Sequence, residues 1–317
     1  MKKLTKIGAS ALAGSLVAFS ANAAEMSVSG SAKMTYKNGD TSEVTGNPYG
    51  MNTSLGFTGT GDVNGYETTL FVTSADQFGG MSSASVSVNL GDMGMVHFDQ
   101  GVGKGGISTI DDKTPSAYEE VWALTTGNVL INGIGGNDLW RYDSPELIPG
   151  LTVSASYQAA SQTGSTNAYT DMGVSYSPEM LEGLTLAYAT GEVDESTSET
   201  GDDVTGTDES TMWVTYATGP ITVGYQQSEA DGATATQDDD STEFGISYAV
   251  TEDFSVSYGE HELDLGSSTS DQESEGFSAS YTMGGTSIKA AFNETTNVRG
   301  AAATDTESYE IALVFAF

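Results

Sequence analysis

EMSVSGSAKMTYK, residues 25–37, alternates without a break. Met26, Val28, Gly30, Ala32, Met34 and Tyr36 are apolar or small, and Ser27, Ser29, Ser31, Lys33, Thr35 and Lys37 between them are polar. Successive side chains of a strand point to opposite faces, so a period of two gives one apolar and one polar face. The same signature recurs at residues 50–58, 65–73, 83–90, 94–99, 139–144, 151–158, 170–176, 184–191, 211–217, 221–227, 243–250, 254–261, 276–283, 286–293 and 307–317, which makes 16 strands with the first.

The connections between these strands alternate in length. Residues 61–64, 90–93, 218–220, 251–253 and 284–285 are tight turns, whereas 38–49, 100–138, 192–210, 228–242, 262–275 and 294–306 are long and polar. A soluble sandwich has no reason to sort its loops this way. An even-numbered up-and-down barrel crossing a membrane does, with short turns on one side and long loops on the other. Tyr157, Tyr176, Tyr188, Tyr216, Tyr225, Tyr248, Tyr258 and Tyr281 all fall on the apolar register near strand ends, as interfacial aromatic girdles require. Tyr309, Ile311, Leu313, Phe315 and Phe317 carry the alternation to the carboxyl terminus. An open apolar edge invites aggregation, so this last strand is expected to pair with the first and close the ring. The fold class is thus all-β, a transmembrane antiparallel up-and-down barrel.

Composition narrows the function. The 317 residues hold 44 Asp and Glu against 10 Lys and Arg, a net charge of −34, and no cysteine. Such a balance excludes nucleic acid, whose phosphates need clustered cations. The missing cysteine excludes disulfides, thiolate-ligated metal and a cysteine nucleophile. Lys2, Lys3 and Lys6, an apolar run over residues 7–19 and Ala21-Asn22-Ala23 read as a secretory signal peptide, residues 1–23, with residues 24–317 as a single barrel domain. A 13-residue apolar run is too short to span a bilayer, which needs about 20. Removing it leaves 7 basic against 44 acidic residues, a balance of −37.

The segment LWRYDSPELIPGLTVSASY, residues 139–157, resembles the R-Y-D-S-P…G…S-Y segment of the general-diffusion porins of Gram-negative outer membranes. In that family it follows a long third loop, as here it follows residues 100–138. LGDMGMVHFDQ, residues 90–100, is similar to the hairpin before that loop, with Asp99 where the family usually has Gly, and the terminal Phe317 fits as well. The resemblance extends over residues 24–317. It implies a homotrimer of 16-stranded barrels in outer-membrane lipid and lipopolysaccharide, each constricted by an inward-folded third loop at about 100–138 that faces a basic wall.

Register then nominates the pore residues. Lys33 and Lys37 lie on the polar face of the first strand, Arg141 is out of phase with Trp140 and Tyr142, and Lys289 is out of phase with Ile288, Ala290 and Phe292. These four are the expected basic pore wall, with Asp111, Asp112, Glu119 and Glu120 of the third loop as acidic partners across it. A transverse field of this kind orients dipolar solutes and penalises apolar ones. Residues 192–275 hold 22 of the acids, with no Lys or Arg between Arg141 and Lys289, so a negative mouth and a cation preference that fades with salt are expected. Asp202-Asp203 and Asp238-Asp239-Asp240 offer oxygens to Ca²⁺ without matching an EF-hand spacing.

Two features are decoys. GVGKGG, residues 101–106, matches G-x-G-x-x-G, but no helix or βαβ unit surrounds it. His97 and His261 lie on separate strands without a motif, which argues against an enzyme. The expected function is passive diffusion of small hydrophilic solutes and ions, without catalysis or cofactor. A substrate-selective channel and a structural or adhesive barrel with acidic loops are the alternatives. Phe71 and Trp213 are the only large aromatics placed inward, too few for a stacking ladder.

Overall fold

The computed structural model describes residues 25–39, 48–75, 83–102, 106–110, 112–126, 137–160, 167–193, 196–197, 203–204, 207–232 and 234–317. The expected signal peptide, Asp111 and Asp202 lie outside the described residues.

Sixteen antiparallel strands close one barrel. In chain order they are β1 (Glu25–Gly39), β2 (Tyr49–Val63), β3 (Tyr66–Ala75), β4 (Ser83–Asn89), β5 (Met95–Gln100), β6 (Asn137–Asp143), β7 (Leu151–Gln158), β8 (Tyr169–Tyr176), β9 (Leu184–Val193), β10 (Thr207–Thr218), β11 (Ile221–Asp231), β12 (Asp239–Ala249), β13 (Phe254–Leu265), β14 (Gln272–Met283), β15 (Thr286–Thr296) and β16 (Thr306–Ala316). Each pairs with its neighbours in sequence, and β1 pairs with β16 through Lys33↔Val314 and Lys37↔Glu310. A two-stranded ribbon, Ser196–Thr197 with Asp203–Val204, sits between β9 and β10. Closure runs to the last residue: Gly30 and Phe317 exchange both backbone hydrogen bonds, at 2.9 and 3.0 Å.

The turns on one side are tight because their residues accept left-handed backbone. Asn64-Gly65 joins β2 to β3 with φ of 57° and 89°, the I′ pair that matches strand twist. On the other side, several strands run further than alternation alone indicates. β12 starts at Asp239 rather than 243 and β14 at Gln272 rather than 276. There both faces are polar, so the period of two disappears from the sequence although the ladder continues.

The molecule is inside-out relative to a soluble protein. Among the described residues 10 hydrophobic side chains are buried against 20 polar ones, while 38 large hydrophobics are exposed. Met26, Met51, Leu70, Val86, Met172, Met212 and Ile288 point outward, and Ser85, Ser156, Gln226, Ser274 and Asn293 point in. An apolar exterior around a polar interior suits a bilayer, where closed ladders satisfy every backbone group. Aromatic rings line this exterior, with Tyr258–Phe277 and Phe98–Trp140 each 4.8 Å apart and Tyr36 5.4 Å from Tyr49.

Candidate functional site

The segment between β5 and β6, here called L3, lies in its described parts against the inner wall. Its first anchor is apolar: Ile107, Leu139, Tyr169 and Ala189 form a buried cluster, joined by Ile110 and Val193. The Ile107 N–H donates to Asp171 Oδ2 at 2.9 Å. Asp99, at the position where the resemblance expects Gly, is buried and its Oδ1 accepts the Val102 N–H at 2.9 Å, turning the chain off the end of β5.

From there the backbone of L3 is tied to strand after strand. Lys113 N donates to Gln226 Oε1 of β11 at 2.8 Å. Ala117 N donates to Ser257 Oγ of β13 at 2.9 Å and Tyr118 N to Ser278 Oγ of β14 at 3.0 Å. Leu124 N donates to Asn293 Oδ1 of β15 at 3.2 Å, and the hydroxyls of Thr125 and Thr295 are 2.6 Å apart. Trp122 packs on His261 of β13, ring centres 4.5 Å apart.

A row of glycines makes this approach possible. Gly224, Gly245, Gly259 and Gly276 stand directly opposite one another across β11 to β14 on the inner face. A Cβ on Gly224 would lie 2.5 Å from Pro115 Cδ, one on Gly245 2.9 Å from the Pro115 oxygen, and one on Gly259 3.0 Å from Val121 Cγ1. No side chain fits under L3 there, so the loop rests on bare backbone. The sequence carries the signal as one inward-phase glycine per strand, which becomes a row only once the register is known.

At its midpoint L3 faces β1, β15 and β16. Glu119 Oε1 is 3.3 Å from Lys33 Nζ, with both side chains partly exposed. The Tyr118 ring sits between two ammonium groups, 5.6 Å from Lys33 Nζ and 5.2 Å from Lys289 Nζ. Its hydroxyl donates to Glu310 Oε1. Small inward residues make room, since Ala312 stands between Thr35 and Lys289 in register and is fully buried. Burial and the neighbouring Glu310 push the Tyr118 phenol far above its usual range, so it stays a donor. Burial likewise raises the carboxyls of Asp112, against the Lys113 charge, and of Glu120, beside Asp112 and Glu119.

The residues singled out by register divide into two groups. Lys33, Lys289 and Glu119 meet at one place around Tyr118, Glu120 lies beside Asp112 and Glu119, and Lys37 stands opposite Glu310 on β16. Arg141 faces inward but elsewhere: its Nε and Nη2 each lie 2.8 Å from Asp143 Oδ1, and its Nη1 donates to Thr109 of L3 at 2.9 Å. It is thus part of the root of L3, away from the lysines. Tyr118 and Glu310 escaped the register argument, and so did Tyr169 and Trp122 as inward aromatics, because Tyr118 and Trp122 belong to L3 while Glu310 and Tyr169 contact it. Among the described residues no three carboxylates or imidazoles gather as a metal site, and Asp238 and Asp239 each accept a backbone N–H at 3.1 Å, from Gly232 and Gly266.

An apolar exterior, a polar interior and an internal segment pinned along the inner wall define an outer-membrane channel. Residues 8–300 match the family described as Gram-negative porin, and the chain belongs to that family. It is an outer-membrane protein of the bacterial porin type, a channel for small solutes. Solved structures agree in fold. The anion-selective porin from Comamonas acidovorans is 16% identical, over 93% of this chain and 100% of that one, with a TM-score of 0.66. OmpF of Salmonella typhi is 12% identical over 92% and 97%, TM-score 0.69. A trimer form of OmpT from Vibrio cholerae is 13% identical over 93% and 100%, TM-score 0.66. No curated protein sequence matches the chain significantly.

Proposed function

We propose that mature residues 24–317, freed of a signal peptide at 1–23, form a homotrimer of water-filled channels for passive diffusion of small hydrophilic solutes and ions. The observation that carries this reading is the charged inner wall of the closed barrel. The described part of L3 lies along that wall, and at its midpoint Glu119 and Lys33 are partly exposed, with Lys289 beside them. Water and ions pass such a point, and a solute that cannot trade its hydration for those charges is retarded. Lys33, Lys37 and Lys289 form the basic wall and Glu119 its acidic partner. Asp112 and Glu120, whose carboxyls burial pushes up, give up their charge earlier on acidification than exposed carboxylates do. Arg141 holds L3 in position. The acidic outer half of the barrel makes the mouth negative, which favours cations at low salt.

Conductance in a planar bilayer under a KCl gradient tests the proposal. Large open steps with a cation-selective reversal potential at low salt, weakening at high salt, support it. No conductance from correctly folded barrels refutes it. Saturable block of the current by one sugar or anion replaces it with a substrate-selective channel.

A hydrolase in the wall is disfavoured. Ser87 Oγ lies 2.7 Å from His97 Nδ1 and His97 Nε2 lies 3.0 Å from Asp143 Oδ2, which superficially forms a triad. Yet Asp143 is already shared with Arg141, Ser87 is buried, and the backbone around it pairs with β3 and β5 rather than forming an oxyanion pocket.

A further inference from the structure

The outer face of β13 to β16 carries three parallel rows, each made of directly opposed residues. The middle row is aromatic: Tyr258, Phe277, Phe292 and Tyr309. On the turn side of it runs a row of smaller side chains, Val256, Ala279, Ala290 and Ile311. On the loop side runs a row of carboxylates, Glu260, Glu275, Glu294 and Glu307. Where the small residues lie between taller neighbours the barrel wall is concave, forming an apolar groove of about 670 Å³. Directly above it Glu260, Glu275 and Glu294 line a second hollow of about 540 Å³, widened by Glu262 and Glu273.

We propose that this face is a binding site for one class of membrane amphiphile, a lipid whose acyl chain lies in the Ala279–Ala290 groove and whose head carries an ammonium charge. The apolar lining of the groove selects the chain. The head follows from charge complementarity. Like charges directly opposite on a sheet destabilise it, and here three consecutive pairs of glutamates are opposed. A positive head group seated among them removes that repulsion. The Tyr258 hydroxyl already draws two of them together, donating to Glu260 Oε1 at 2.7 Å and lying 3.0 Å from Glu275 Oε2. An anionic lipid bridged by divalent cations is the competing occupant that the test separates. A second copy of the chain would bring its own glutamates against these.

The test uses the purified barrel in a neutral detergent, titrated with three dioleoyl lipids bearing trimethylammonium, phosphocholine or phosphoglycerol heads, with bound lipid counted by native mass spectrometry. The trimethylammonium lipid is expected to be retained about tenfold more tightly than phosphocholine at low salt. The variant Glu260→Gln/Glu275→Gln/Glu294→Gln should bring that ratio to unity while remaining a heat-modifiable barrel. Filling the groove with Ala279→Phe/Ala290→Phe should weaken all three lipids. Equal retention of cationic and zwitterionic lipid overturns the proposal. So does a preference for phosphoglycerol that appears only with Mg²⁺, a cationic preference that survives the triple variant, or a filled groove that binds as before.

Discussion

Lys289→Gln removes one positive charge from the constriction without breaking an ion pair, since Lys289 makes none among the described residues. Its ammonium rests only on the edge of the Tyr118 site, 5.2 Å from the ring centre. The effect on a passing ion follows from Coulomb's law. At a distance of about 5 Å in a medium as polar as water, one unit charge changes the energy of a monovalent ion by ~0.8 kcal/mol. Screening over a Debye length of about 10 Å at 0.1 M reduces this to roughly 0.5 kcal/mol, a factor of about two in occupancy for each ion. Potassium gains and chloride loses, so the potassium-to-chloride permeability ratio should rise about fivefold at 0.1 M and less than about twofold at 1 M, where the screening length is ~3 Å. Reversal potentials under a fixed KCl gradient at the two salt levels measure both numbers, with Lys289→Arg as the charge-preserving control. An unchanged ratio at 0.1 M refutes the claim that this lysine faces the ion path. An equal change at both salts refutes the electrostatic account and points to altered pore shape.

Other outcomes follow from the same geometry. Gly245→Val forces at least the Pro115 carbonyl, 2.9 Å from the added Cβ, off the wall. It should lower stability by about 1–3 kcal/mol, read as an earlier heat-modification temperature, and reduce single-channel conductance as L3 moves into the lumen. Lys33→Ala leaves Glu119 unpaired, and its coupling to Glu119→Ala in a double-mutant cycle should stay near or below about 1 kcal/mol, because both side chains are partly exposed. Arg141→Ala frees Thr109, leaves Asp143 to His97 alone, and should increase open-channel current noise by loosening the root of L3. The raised carboxyls of Asp112 and Glu120 bind protons more tightly in the folded loop than in the unfolded chain. Their contribution is therefore full at low pH and lost as pH rises through the raised values. Cation selectivity should accordingly begin to fall at a pH above the ordinary carboxylate range on acidification, and Asp112→Asn/Glu120→Gln should abolish that early phase.

Strand number, phase and closure were legible in the sequence because each strand separates lipid from water and so must alternate. Where β12 and β14 emerge above the aromatic rows, both faces meet water and the pattern stops, although Asp239 and Gln272 remain in the ladder. The site was legible in part for the same reason. Phase alone directs Lys33 and Lys289 inward, but nothing local reveals that Arg141 meets Asp143 and Thr109 instead of joining them. The path of L3 depends on residues more than a hundred positions away, such as Ser257 and Asn293. Glu262, Glu273 and Glu275 fall in the stretch 262–275 expected as a polar loop, yet they sit on strands and face out of the barrel.

The pairing of Gly30 with Phe317 sets the order in which the molecule is built. The ladder between β1 and β16 joins residues far apart in the chain, such as Lys37 and Glu310, while every other ladder is local or nearly so. Hairpins form early and cheaply, and loop-closure entropy defers the one distant contact to the end. Until that contact forms, the sheet has two free edges that no lipid tail can satisfy. Loop-closure entropy thus makes the meeting of the two ends the costliest pairing of the sheet, and the one that removes both edges at once.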